Sequence, residues 1–218
     1  MTEVRRLEPW GGAPEAAIDR IWYVSYGSNM RLSRFLAYLR GGRAEGGALE
    51  HPGCRDPEPP RAWAALELSG RLYFATESRI WGGGRAFFAP AEVSGTERTD
   101  SGTGPVLARA YDVSREQFAD VAAQEMYRAP GDGPELATVL AGGERAVRCG
   151  PGRYETLLCL GALDGRPALT FTAPWRAADV PRNPPSERYL AQLAGGLGEM
   201  EAWSTTAVRA YLTGAMAA

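Results

Sequence analysis

The chain has 218 residues, a formal net charge of −2 and a hydrophobic fraction of 44%, values typical of a globular protein. The near-neutral charge gives no electrostatic basis for binding nucleic acid. All 24 basic residues are arginine, which excludes a lysine Schiff base, a phosphate-loop lysine and a lysine general base. No apolar run reaches the roughly 18 residues of a membrane span, and the N-terminus lacks the apolar stretch of a signal peptide. We therefore expect a cytoplasmic protein with no membrane or nucleic-acid partner.

The first strong signal is a strand that meets a polar turn. Residues 1–19 are polar and contain Gly and Pro, so they are predicted to form a loose N-terminal leader before a single domain over 20–218. Residues 21–25 have the composition of a buried strand, and the next four residues read Tyr-Gly-Ser-Asn. A helical pattern then begins at Met30 and is stopped by glycines at 41–42.

The middle of the chain is predicted to be rich in strands. A long loop with many Gly and Pro residues occupies 43–60, and a polar tip occupies 94–105. A Ser-Gly turn joins the first two strands of this region, and a glycine turn opens the third. The predicted strands cover 62–68, 71–77, 81–93 and 106–113.

The rest of the chain is predicted to contain one helix, three strands and two further helices, in that order. Ser114 and Gln117 have the spacing of a capping box at the start of a helix over 114–126. Strands are predicted at 135–140, 153–163 and 166–175, followed by one helix that begins at Pro185-Ser186 and another over 201–216. This order predicts an α+β fold in which helices flank a mixed sheet or barrel.

Glu125 is the informative residue of the 114–126 helix. Helical spacing places it on the stripe of Phe118, Val121 and Ala122, which should face the core. A carboxylate there is costly unless it is hydrogen-bonded, metal-bound or protonated for part of the time, and burial raises its pKa toward the range of a general base. The alternative is that Glu125, in the last helical turn, points into solvent.

The Tyr-Gly-Ser-Asn turn at 26–29 is expected to bind an anion and so to complement the Glu125 carboxylate. A strand that ends in a turn and enters a helix presents free backbone N–H groups to an anion or a developing oxyanion. Gly27 permits close approach of the backbone, and Ser28 or Asn29 is expected to cap the helix. Together, this turn and Glu125 would supply a hold for an anion and a base.

These segments resemble the γ-glutamylcyclotransferase family. The turn "YGSN" follows an apolar first strand, and "LARAYDVSREQFADVAAQE" places Gln124-Glu125 at the end of the helix after an aromatic strand, as the family places its general-base glutamate. "PPSERY" is similar to the family's entry to its C-terminal helix, and "WGGG" resembles a glycine-rich turn before its middle strand. The resemblance implies a small mixed β-barrel flanked by helices. It carries over Glu125 as catalytic residue and, as substrate-binding residues, Tyr26, Gly27, Ser28, Asn29, Trp81 and Tyr189.

The resemblance implies an intramolecular aminolysis without a cofactor or metal. The α-amine of a small-molecule γ-glutamyl substrate would attack the γ-amide carbonyl and release 5-oxoproline and a free amine or amino acid, with Glu125 as general acid and base. The substrate carboxylate would meet an arginine, for which Arg31, Arg79 and Arg85 are equal choices. Many family members have Gly where this chain has Met126 and Tyr where it has Asp132, so the wall that follows the glutamate is expected to differ.

Other functions are less compatible with the sequence. The G-x-S-x-G motif of a serine hydrolase is absent, and the single histidine, His51, lies in a loop with many Pro and Gly residues, which argues against a catalytic triad. A metal enzyme is disfavoured because the chain has one histidine and scattered carboxylates. The three cysteines, Cys54, Cys149 and Cys159, are interpreted as packing or incidental surface residues and not as nucleophiles. A non-catalytic ligand-binding or regulatory module on the same fold stays open as the main alternative. The leaving amine and the oligomeric state, a homodimer included, also stay open.

Overall fold

The protein's structure is a computed structural model that describes residues 1–43, 49–78, 80–91 and 105–217. Arg79 and nearly all of the predicted polar tip lie outside these residues. The helices are α1 (Leu32–Arg40), α2 (Arg115–Glu125), α3 (Ala137–Leu140), α4 (Glu187–Glu199) and α5 (Thr205–Ala217), with 3₁₀ turns at Glu15–Ala17 and Ser28–Met30. The strands are β1 (Val4–Arg5), β2 (Arg20–Ser25), β3 (Gly42–Arg43), β4 (Glu50–His51), β5 (Trp63–Leu68), β6 (Gly70–Ala75), β7 (Arg85–Pro90), β8 (Val106–Ser114), β9 (Ala146–Arg148), β10 (Thr156–Leu163) and β11 (Arg166–Thr172).

The main sheet is mixed and open. Its seven strands have the order β1-β5-β8-β2-β11-β10-β9. The pairs β1–β5 and β11–β2 are parallel, and the other pairs are antiparallel. The predicted α+β fold with flanking helices is confirmed.

The predicted closed barrel is not formed by the described residues. Strands β6 and β7 make a separate hairpin beside the main sheet. Where β7 meets β11, the side chain of Thr172 stands between the strands. Its hydroxyl donates to the Phe88 carbonyl at 2.6 Å and accepts from the Phe88 amide at 3.3 Å. Because a hydroxyl replaces the backbone ladder there, the hairpin covers the sheet without closing it.

The central strand β2 has a core on each face. Trp22 and Val24 pack into the core on the side of α4 and α5, whereas Ile21 and Tyr23 pack into the core that also holds residues of α1, α2 and α3. Successive strand side chains point to opposite faces, so a strand covered on both faces needs a continuous apolar run. Residues 21–25 are such a run, and they place the following turn at one end of the sheet.

Two predicted segments differ from the structure. Residues 135–140 were expected as a strand, but α3 forms there because Leu136, Val139 and Leu140 are buried at helical spacing. A six-residue apolar window is too short to separate the two periodicities. The N-terminal 19 residues contain β1, which pairs with β5, and Trp10, whose indole donates to the Leu140 carbonyl at 2.8 Å. They pack on the domain instead of forming a loose leader.

The other predicted helices and strands overlap the observed ones. Both halves of the capping box of α2 are present, from Ser114 and Gln117. Ser186 caps α4 by accepting from the Tyr189 amide. In the described part of the chain, no helix combines the length and the apolar character needed to cross a membrane.

Candidate active site

The turn at 26–29 follows β2 directly. Gly27 precedes the 3₁₀ turn Ser28–Met30, in which the Met30 amide donates to the Gly27 carbonyl at 3.0 Å. The first N–H groups of such a turn have no acceptor inside it. The Tyr111 hydroxyl donates a shared hydrogen bond to the backbone carbonyls of Asn29 and Met30, at 3.0 and 2.9 Å. These bonds tie the turn to β8.

The prediction that Ser28 or Asn29 caps the helix is wrong. Neither side chain makes a capping hydrogen bond to the 3₁₀ turn or to α1. The Ser28 hydroxyl instead accepts from Arg34 Nε at 3.0 Å, and Asn29 Nδ2 donates to the Tyr23 hydroxyl at 3.2 Å. Both polar side chains are used to connect the turn with its surroundings.

Glu125 lies beside this turn. It is the last residue of α2 and is half-buried. Its Oε1 accepts a hydrogen bond of 2.6 Å from the Tyr38 hydroxyl and one of 3.3 Å from Asn29 Nδ2. No donor to Oε2 is found among the described residues. One carboxylate oxygen is thus fixed, and the other is available to a ligand.

One cavity joins Glu125 to the turn. Its empty volume, including the open mouth, is about 620 Å³. The residues that the sequence assigned to a site all line it; they are Tyr26, Gly27, Ser28, Asn29, Trp81, Glu125 and Tyr189. The catalytic and binding roles of these residues stay predictions, but the structure brings the residues together around one cavity.

The two tyrosines among the predicted substrate-binding residues differ in whether their hydroxyl proton is available to a ligand. The Tyr26 hydroxyl already donates to the Phe171 carbonyl at 2.7 Å. The Tyr189 hydroxyl accepts from the Ala86 amide at 3.3 Å and has no acceptor of its own among the described residues. Burial raises the pKa of Tyr189 to about 12, so its proton is present at neutral pH and can be donated to a ligand.

Arg34 is a site residue that the sequence reasoning missed. It is only 3% exposed, yet no described carboxylate forms an ion pair with it, and its Nη1 has no hydrogen-bond partner. Its guanidinium lies 5.1 Å from the ring centre of Trp81 and 5.4 Å from that of Tyr38. A buried cation in a cavity wall without a carboxylate partner is well suited to bind an anionic group.

Among the three arginines considered from the sequence, only one is placed in the cavity. Arg31 lies 3.7 Å from the Glu199 carboxylate, and Arg79 is outside the described residues. Arg85 lines the cavity. The sequence did contain a signal for Arg34, because its charged side chain lies next to Phe35 on the buried side of α1. Glu125 has the same kind of position on the apolar side of α2.

A further wall was also missed. Tyr127, Arg153 and Tyr154 line the cavity. The Arg153 guanidinium stacks 3.7 Å from the ring centre of Tyr127, and the Tyr154 hydroxyl donates to the Ala86 carbonyl at 2.9 Å. These residues occupy connections without a regular pattern. The wall after Glu125 is therefore built from segments that periodicity does not identify.

The other reactive side chains give little alternative chemistry. The ring centres of His51 and Tyr38 are 3.9 Å apart, and burial lowers the pKa of His51. None of the three cysteines lines the cavity, and burial raises the pKa of each thiol, to about 12 for Cys54. In the described ranges, no three His, Cys, Asp or Glu residues come together as a metal site. The usable groups are a carboxylate, arginines, a tyrosine and backbone amides.

No family model matches the chain. It is 29% identical over 227 aligned positions to the Arabidopsis thaliana protein named "Histone deacetylase 5". That match covers 97% of this chain but 33% of the relative, so the chain spans about a third of the length of the protein to which the name applies.

Two solved structures are similar to the chain over most of its length. One is an uncharacterized protein from Homo sapiens, with a TM-score of 0.49, and the other is a γ-glutamyl cyclotransferase, with a TM-score of 0.46. Each is 15% identical, and each match covers 88% of both chains.

Proposed function

We propose that the protein is a γ-glutamylcyclotransferase-like enzyme, which converts a γ-glutamyl amide to 5-oxoproline and a free amine or amino acid. The observation that carries this proposal is the hydrogen bond of 3.3 Å from Asn29 Nδ2 to Glu125 Oε1, which joins the carboxylate to the amide-rich turn inside one cavity. A general base and an oxyanion hold are the two groups that an intramolecular aminolysis needs.

Glu125 would move protons between the two nitrogens of the substrate. A bond forms between the α-nitrogen and the γ-carbonyl carbon, and the bond from that carbon to the departing nitrogen breaks. Two protons leave the α-ammonium group and two arrive on the departing nitrogen, so no water or co-reactant is consumed. The Tyr38 and Asn29 hydrogen bonds both go to Oε1, which leaves Oε2 to take and return each proton.

The opposite groups of the substrate would be held by the turn and by Arg34. The backbone amides of residues 27–29 would stabilise the oxyanion that develops on the γ-carbonyl, and one such donor contributes about 3 kcal/mol. Arg34 would bind the α-carboxylate, because it is buried without a carboxylate partner among the described residues. Tyr189 would donate its free proton to a substrate oxygen.

The shape of the turn leaves room for this arrangement. A Cβ atom at Gly27 would lie 3.5 Å from the Tyr189 hydroxyl, so a larger side chain at this position would narrow the cavity between the turn and Tyr189. The reaction requires no cofactor, since the nucleophile and the electrophile belong to one molecule. The enzyme's task is to fold the substrate into a ring-forming geometry, which supplies several kcal/mol of the barrier reduction.

The test is direct measurement of 5-oxoproline. The full chain is incubated with γ-glutamyl amino acids, glutathione and γ-glutamyl amines, and the products are followed by mass spectrometry. We expect 5-oxoproline and the free amine in equal amounts from at least one substrate. Binding of these compounds by calorimetry without any turnover would contradict the proposal and support a ligand-binding module on the same architecture.

A further inference from the structure

His51 is a buried titratable residue that the proposed mechanism does not use. It is the single histidine of the chain, lies on β4 and is 9% exposed. Because His51 pairs with Gly42 of β3, it lies beside the C-terminal end of α1. It is not one of the residues that line the cavity. Its Nε2 is buried without a hydrogen-bond partner in the described part of the chain, which is a costly environment for a polar atom.

The imidazole packs against the tyrosine that contacts the proposed base. The ring centres of His51 and Tyr38 are 3.9 Å apart, and the ring planes are inclined by 38°. The Tyr38 hydroxyl donates to Glu125 Oε1 at 2.6 Å. A side chain keeps such a geometry only where packing fixes its rotamer, and His51 supplies part of that packing.

The polar groups around His51 come from two helices. Burial and the charge of Arg34 on α1 lower the pKa of His51, whereas Glu125 and the side chain of Gln124 on α2 raise it. Tyr38 is the other titratable group of α1 in contact with the ring. Since the pKa is lowered overall, the imidazole is neutral at neutral pH and has a proton on one of its two nitrogens.

The unpaired atom of His51 has a counterpart on Gln124. The amide nitrogen of Gln124 donates to the carbonyls of Tyr38 and Gly53 at 3.0 and 3.3 Å. Its Oε1, like His51 Nε2, is buried and has no hydrogen-bond partner among the described residues. An amide oxygen only accepts hydrogen bonds, so the two atoms satisfy each other when the imidazole proton is on Nε2.

Building on the function proposed above, we propose that His51 is a positioning residue, which donates from Nε2 to Gln124 Oε1, packs on Tyr38 and so holds the Tyr38 hydroxyl against Glu125. Gln124 and Tyr38 are the residues that tie the end of α2 to α1, and one imidazole fixes both. Because His51 acts through Tyr38 and does not reach the cavity, its effect should fall on turnover and not on substrate binding.

The first experiment determines which nitrogen of His51 has the proton. Since the chain has one histidine, NMR of the full chain labelled with ¹⁵N-histidine observes this ring without further assignment. At neutral pH we expect the neutral tautomer with its proton on Nε2. A proton on Nδ1 would overturn the pairing with Gln124.

Two substitutions of similar size then test the donor. His51→Gln keeps an N–H group near the position of Nε2, whereas His51→Leu has no donor. With γ-glutamyl-alanine as substrate, we expect kcat to fall about fivefold to tenfold in His51→Leu, the share of one hydrogen bond, and by less than about threefold in His51→Gln. KM should stay within about threefold of the wild-type value in both variants. Equal losses of kcat in the two variants would overturn the role of the donor.

A double-mutant cycle shows whether His51 acts through the Tyr38 hydroxyl. In Tyr38→Phe this hydroxyl is absent, so the addition of His51→Leu should lower kcat further by less than about twofold. Leu140→Ala is the structural control, because this fully buried residue of α3 lies outside the cavity. It should lower the unfolding temperature and leave kcat near the wild-type value. Losses that multiply in the double variant would overturn the proposal, since His51 would then act independently of the hydroxyl.

The outcomes separate this inference from the function on which it rests. If the wild type forms 5-oxoproline and His51→Leu keeps full kcat, the inference is wrong while the cyclotransferase function stands. If no γ-glutamyl compound gives 5-oxoproline, the function itself fails, and the tautomer of His51 still decides whether it pairs with Gln124.

Discussion

The hydroxyl of Tyr38 donates a hydrogen bond of 2.6 Å to Oε1 of Glu125, so a residue of α1 orients the carboxylate at the end of α2. The same tyrosine also binds the preceding residue, because its backbone carbonyl accepts from Gln124 Nε2 at 3.0 Å. Two consecutive residues of α2 are thus tied to one residue of α1. Helix ends commonly fray, and these bonds hold the carboxylate in place at such an end.

Removal of this hydroxyl should affect turnover more than binding. In Tyr38→Phe, Glu125 loses its shorter hydrogen bond, and we expect kcat to fall about tenfold or more while KM changes by less than about threefold. Steady-state kinetics with γ-glutamyl-alanine gives both values. Tyr211→Phe is the matched control, since it deletes a hydroxyl on α5 outside the cavity. An equal loss in both variants would mean that Tyr38 does not orient the carboxylate.

The role of Glu125 itself predicts a larger effect. Glu125→Gln keeps the size of the side chain but cannot accept and return a proton, so kcat should fall at least about a hundredfold, the lower end of a general base's contribution. Its thermal unfolding should match that of the wild type. Glu135→Gln, an exposed substitution of the same chemistry, should retain full activity. Near-complete activity in Glu125→Gln would show that another group serves as the base.

Arg34 and Arg109 allow a comparison between two buried arginines. Arg109 is 2% exposed and binds Glu199 at 2.9 Å and the Met30 carbonyl at 3.0 Å, whereas Arg34 has no described carboxylate partner. We expect Arg34→Met to change the free energy of unfolding by less than about 1 kcal/mol, because it removes a buried charge without breaking an ion pair. Arg109→Met should cost about 2 kcal/mol or more.

Enzyme kinetics should rank the two variants in the opposite order: Arg34→Met, with the smaller loss of stability, should have the larger loss of substrate binding. Arg34→Met should raise KM for γ-glutamyl-alanine about tenfold or more, since the α-carboxylate loses its charged partner. Urea unfolding and steady-state kinetics on the same preparations measure both effects. A large loss of stability without a change in KM would make Arg34 a structural residue.

The sequence predicts the parts of the site that lie within single elements. β2 and its turn follow from an apolar run that meets Gly27, and α2 follows from its capping box. Glu125 stands out because a charge falls on an apolar stripe. Each of these signals depends on neighbours in the chain, so the local pattern contains the information.

The missed parts depend on contacts between elements. The apolar residues of α1 explained its buried side, so nothing marked Tyr38 as a partner of α2. Arg153 lies in an irregular connection, and its neighbour Tyr154 is tied to the Ala86 carbonyl of β7, a contact that the local sequence pattern does not contain. The absence of a closed barrel from the described residues likewise depends on the contact between β7 and β11, where the hydroxyl of Thr172 bonds Phe88 in place of a ladder of backbone bonds.

The buried tyrosines predict a loss of stability at alkaline pH. Burial raises the pKa of Tyr189 to about 12 and holds those of Tyr26, Tyr38 and Tyr154 well above their usual value. In each case the folded-state pKa exceeds the unfolded value of about 10. The stabilisation is therefore fully present below about pH 10 and is lost as the pH rises from there through the folded-state values.

Urea unfolding between pH 8 and 11 measures this effect. The free energy of unfolding should fall above about pH 10, by up to roughly 1.4 kcal/mol per pH unit for each buried tyrosine that ionises on unfolding. Tyr189→Phe should reduce this slope, since it removes one of the titrating groups. A slope that is unchanged in the variant would show that the Tyr189 hydroxyl ionises as readily in the folded cavity as in the unfolded chain.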